Sequence, residues 1–76
     1  MNKENLIVTL DDNKDYSLIN AMEFEGKNYI YLIELNNFSN IVIGEINGDT
    51  ITTIEEPILY GKLFMKFGEM MKKDTE

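Results

Sequence analysis

Histidine, cysteine, tryptophan and arginine are all missing from this 76-residue chain, and proline occurs once. Without imidazole or thiol, it lacks the commonest near-neutral acid–base groups, nucleophiles and transition-metal ligands. Any reaction would fall to carboxylates, Lys, Tyr and Ser/Thr, so an enzyme is not expected. With no cysteine there is no disulfide, and a core of this size is only marginally stabilising unless a partner adds to it. Residues 1–10 show no basic region followed by a long apolar run, so no secretory signal is expected. The longest apolar stretch, 29–33, falls far short of the roughly twenty residues of a membrane span. These absences predict a cytoplasmic protein with no membrane role.

What remains is a folding composition with a strong charge. Hydrophobic residues make up 43% of the chain, eight of them aromatic, which argues for a single packed domain over 1–76 rather than a disordered acidic tail. Fourteen acids against seven Lys leave a net charge of −7. That balance disfavours direct contact with nucleic acid or anionic lipid and favours protein partners, basic ones among them. The charge is uneven: residues 1–57 carry three Lys against eleven acids, whereas 58–76 carry four Lys against three.

The order of residues predicts an α+β fold, a five-stranded antiparallel sheet with one C-terminal amphipathic helix packed on one face. Segments 5–10, 15–24, 28–35, 41–46 and 50–55 are rich in Ile, Val, Thr, Tyr and Phe and read as strands. The tetrapeptide Asp11-Asp12-Asn13-Lys14, the Glu25-Gly26-Lys27 segment and the Asn47-Gly48 pair read as turns. Connections this short join antiparallel neighbours. Glu55 and Glu56 precede Pro57, whose preset φ suits a first helical turn, and a helix over about 58–73 follows. On it Leu59, Tyr60, Leu63, Phe64, Phe67, Met70 and Met71 fall on one side, and Lys62, Lys66, Glu69 and Lys73 fall opposite. Ile58 and Met65 sit off the apolar arc, and Gly61 and Gly68 weaken the helix.

Strict alternation across the Glu25-Gly26-Lys27 turn sorts the central hairpin into two faces. Tyr16, Leu18, Asn20, Met22 and Phe24 share one with Tyr29, Tyr31, Ile33 and Leu35, the larger aromatic face and the expected seat of the helix. Ile19, Ala21, Glu23 and Glu25 share the other with Ile30, Leu32 and Glu34. One helix covers one face, so this second face is expected to stay wet and to dock, unless strong twist or the first strand closes over it.

Motifs for other chemistry stop short. Asp11, Asn13 and Asp15 open like a calcium loop, but Tyr16 stands where glycine is required and Met22 where a bidentate Glu is required. The five glycines are scattered and open no phosphate cradle. No metal or cofactor is expected.

The run Met22-Glu23-Phe24-Glu25-Gly26-Lys27-Asn28-Tyr29-Ile30, set between an acidic turn with Asp15-Tyr16 and a Pro-initiated helix, resembles the YrzB-like family of small acidic bacterial proteins. The resemblance spans nearly the whole chain and implies a cytoplasmic α+β protein with no catalytic residue to carry over. The Lys-bearing, Gly-interrupted helix departs from that family's more acidic pattern.

The sequence therefore predicts a non-enzymatic protein-binding module that docks on a partner, or pairs with a second copy, through Ile19, Ala21, Glu23, Glu25, Ile30, Leu32 and Glu34. A second reading starts from the absence of Arg and the abundance of Ile and Asn, which suggest AT-rich coding in a low-GC bacterium or its phage. In that reading the chain is a phage-type inhibitor of a basic nucleic-acid-handling enzyme, of the anti-CRISPR or another anti-defence kind, acting in the host cytoplasm. Glu23, Glu25, Glu34, Glu45 and Asp49 would stand in for phosphates, since strand residues two apart repeat at about 6.6 Å.

Overall fold

The computed structural model describes residues 6–74, so the predicted start of the first strand at Asn5 lies outside them. Five strands and one helix follow in chain order: β1 (Ile7–Thr9), β2 (Asp15–Phe24), β3 (Lys27–Glu34), β4 (Asn37–Asn47), β5 (Thr50–Thr53) and α1 (Pro57–Asp74). The sheet runs β1-β2-β3-β4-β5 with every neighbour antiparallel. This is the α+β architecture that strand patterning and short turns predict.

The turns refine the predicted boundaries. Phe24 pairs with Lys27, leaving Glu25 and Gly26 as a two-residue loop with φ of 54° and 81°. Two positive φ values make a type I′ turn, whose twist matches the strands. The last hairpin turns at Gly48 and Asp49 rather than at Asn47 and Gly48: Asn47 pairs with Thr50, and Gly48 supplies the positive φ. A turn at Leu35-Asn36 starts β4 four residues earlier than predicted, with Ser39 N–H bonded to the Asn37 side chain at 3.1 Å.

One irregularity rearranges the faces. The register of β2 on β3 shifts between Leu18 and Asn20, leaving Ile19 as a bulge. Beyond it Met22 and Phe24 pack with the helix as predicted, but before it Tyr16 and Leu18 change sides. The assignment of those two to the helix face is thereby corrected, because one inserted residue breaks the period-two alternation.

The sheet consequently has a core on each side. On the helix side Tyr29, Tyr31 and Ile43 meet Leu63 and Phe67, and all five are buried. Tyr31 lies 5.2 Å from Phe67 between ring centroids, and Tyr60 donates a hydrogen bond to the Ile41 carbonyl at 2.9 Å. On the other side Tyr16, Ile30 and Leu32 are buried under Val8, Leu10, Leu18, Val42 and Ile51. Among the described residues no second layer covers this face. The sheet curls until β5 and the β1 end line one cleft, and Val8, Leu10 and Ile51 pack against this core from the two edges. The expectation of a wet second face is corrected accordingly, with Ile30 at 1% exposure and Leu32 at 0%.

Gly44 permits that curl. It faces Ile30, and a Cβ built on it would sit 2.7 Å from the Ile51 Cγ2, too close for any real contact. The helix begins at Pro57, and the Glu56 carboxylate accepts from Leu59 N–H at 2.8 Å, satisfying one orphan donor of the first turn. Gly61 and Gly68 are exposed with nothing within 4 Å of an added Cβ.

Two stability predictions result. Gly61→Ala and Gly68→Ala each stabilise by about 0.5 to 1 kcal/mol, since a better helix former enters open space. Gly44→Ala destabilises by about 1 to 3 kcal/mol, because the β-branched Ile51, packed against the Tyr16, Ile30 and Leu32 cluster, must shift to admit the new methyl. Urea denaturation of the three variants checks both signs.

Candidate functional site

The residues predicted to dock do not form one surface. Ile30 and Leu32 are interior, and Glu34 is 7% exposed with its Oε1 accepting from the Asn40 amide at 3.0 Å. Ala21 is exposed and pairs with Ile30, the exposed Glu23 borders a depression beside Lys66 and Met70 of the helix, Glu25 lies in the type I′ turn, and Ile19 bulges toward Ser17 and Ile33 on the helix side. The proposed phosphate-mimic row is dispersed in the same way. Glu45 shares a face with Tyr29 on the helix side and sits 4.0 Å from the Lys27 Nζ, while Asp49 is in the last hairpin turn. Burial of Glu34 and the division of the others between faces leave no line of free carboxylates from that set.

Two other surfaces are assembled instead. The first lies on the helix side where α1 does not reach. Ile19, Leu35 and Phe38 are 44%, 40% and 76% exposed and join Ser17 and Ile33 around a shallow depression of about 380 Å³. Antiparallel pairing puts Ile7, 52% exposed, beside Ser17 on the same side, so the apolar surface continues to the β1 edge.

The second is a cleft of about 540 Å³ at the open seam of the curled sheet. Leu10, Tyr16, Val42 and Ile51 form its apolar part, Thr50, Thr52 and Thr53 run along one wall, and Asp11, Asp12 and Glu55 stand around it. The acidic wall is held by the β1–β2 turn. Asn13 N–H donates to the Leu10 carbonyl at 2.9 Å, Lys14 N–H to Asp12 Oδ1 at 3.0 Å, and the buried Tyr16 hydroxyl to Asp12 Oδ2 at 2.8 Å. The Lys14 backbone bond and then the Tyr16 hydroxyl hold the Asp12 carboxyl below its usual range, while burial, then the Asp12 bond, raises the Tyr16 phenol above its own. Both groups stay in the paired state across neutral pH.

The cleft was not foreseen. Asp11 and Asp12 read locally as turn formers, and Glu55 as a helix-start charge; only the curl brings these distant segments together. Among the described residues no group of three acids is close enough to hold a metal, and no helix is long and apolar enough to cross a membrane.

The depressed Asp12 carboxyl makes a signed pH prediction. A lowered folded-state pKa contributes stability above the unfolded value, 3.8, that is lost as pH falls through the folded value. Asp12→Asn should therefore be less stable than the parent at neutral pH, with the difference closing below about pH 4. Thermal melts of both proteins from pH 7 to 2 measure it.

Compared with protein-family models, with curated proteins and with solved structures, the chain finds no match.

Proposed function

We propose that this chain is a non-enzymatic protein-binding module of the cytoplasm that docks through the apolar patch around Phe38. The observation that carries this reading is the exposure of Phe38, 76%, beside Ile19 and Leu35. Clustered apolar side chains left in water are unfavourable by about 25 cal/mol per Å², and such patches mark sites that another protein covers. Aromatic side chains, Phe among them, are enriched at protein interfaces. The bulge at Ile19 contributes to the patch, consistent with the tendency of bulges to re-aim side chains at binding surfaces. Of the set read from alternation this patch keeps Ile19 alone, while the class of function proposed is the same.

Photo-crosslinking in the native host tests this reading. A photoreactive residue at position 38 should give one defined adduct, either with a host protein or with a second copy of the chain. The same residue at Lys62, on the exposed side of the helix, should give none. Equal labelling from the two positions would overturn the assignment of the patch.

A further inference from the structure

The open seam of the sheet has its own binding chemistry, on a surface separate from the Phe38 patch. Among the described residues β5 is an edge strand that pairs with β4 alone. Ile54 N–H donates to the Ile43 carbonyl at 2.9 Å, so by the alternation of an antiparallel ladder Thr52 and Thr50 also turn their backbone groups toward β4. Ile51 and Thr53 then turn theirs away from it, toward the side where the 540 Å³ cleft lies. Among the described residues neither has a backbone partner there.

Beside that edge, Leu10 and Val42 supply apolar floor, and Asp11, Asp12 and Glu55 supply negative charge. A side chain suited to both must have an aliphatic stem and a cationic head, which describes Lys and Arg. Alternate residues of an added strand point to the same side, so such residues would recur at every second position. The Asp12 carboxylate keeps its place through the Tyr16 and Lys14 bonds, so the charge is organised before anything binds.

We propose that the cleft binds an extended segment of a partner protein with Lys or Arg at alternate positions, added as a sixth strand beside β5 through the backbone groups of Ile51 and Thr53. Main-chain bonds along the edge supply affinity, and the acidic wall selects the charge of the segment. Association is salt-sensitive, because the charges sit at an exposed rim.

The probe is a short fluorescein-labelled peptide alternating Lys with Val, titrated by anisotropy, with hydrogen exchange followed residue by residue. Saturable binding is expected, with slowed exchange at the Ile51 and Thr53 amides, and the same peptide carrying Glu for Lys should not bind. Two variants separate the parts. Thr53→Pro removes an outward N–H but no β4 bond and should weaken binding up to about tenfold. Asp11→Asn with Glu55→Gln leaves the Asp12–Tyr16 bond in place and should weaken binding about tenfold and flatten its salt dependence. Absence of saturable binding, protection confined to other amides, or undiminished affinity in both variants would overturn the proposal. Phe38→Asp should leave the titration unchanged, so this test and the crosslinking test fail independently.

Discussion

The β-bulge at Ile19 turns one half of β2 over relative to the other, and the architecture of both faces follows from that twist. Without it Tyr16 and Leu18 would compete with Met22 and Phe24 for the helix, and the opposite face would have Ile19 and Ala21 beside Ile30 and Leu32 in place of Tyr16 and Leu18. With it a second core forms beneath Val8, Leu10 and Ile51. Strong local twist is what a bulge adds to a strand pair, and a twisted five-stranded sheet can fold its own edges over one side.

This curl solves the burial problem of a small domain in an economical way. One 18-residue helix shields Tyr29, Tyr31 and Ile43, and the sheet shields its other face itself. Close approach on this side uses the missing side chain at Gly44, where a Cβ would meet Ile51 Cγ2. Curling also has two consequences for the surface. The seam between β5 and the β1–β2 turn stays open as a cleft, and the helix, lying across the aromatic centre, leaves the region of Phe38 bare.

Charge follows topology in the same manner. Acids spread through the sequence become a local field only where segments meet, as Asp11, Asp12 and Glu55 do at the cleft. Glu34, by contrast, is drawn into the curled side and bonded to Asn40, so its charge is unavailable to a partner. Both proposed docking surfaces thus depend on how the sheet closes.

Local order was legible residue by residue. Strand-forming runs, Gly26 and Gly48 at positive φ, Pro57 at the first helical turn and the 3.6-residue stripe ending in Leu63 and Phe67 all act over a few neighbours, so the number, type and antiparallel order of elements follow from the chain itself. The one-residue shift at Ile19 against β3 and the cleft shared by Asp11 and Glu55 involve partners far apart in sequence, and the approach of Gly44 to Ile51, though within one hairpin, depends on its curvature. Periodicity assumes unbroken alternation and carries no information on curvature. Which residues became core and which became surface was therefore decided by the packing of the closed sheet.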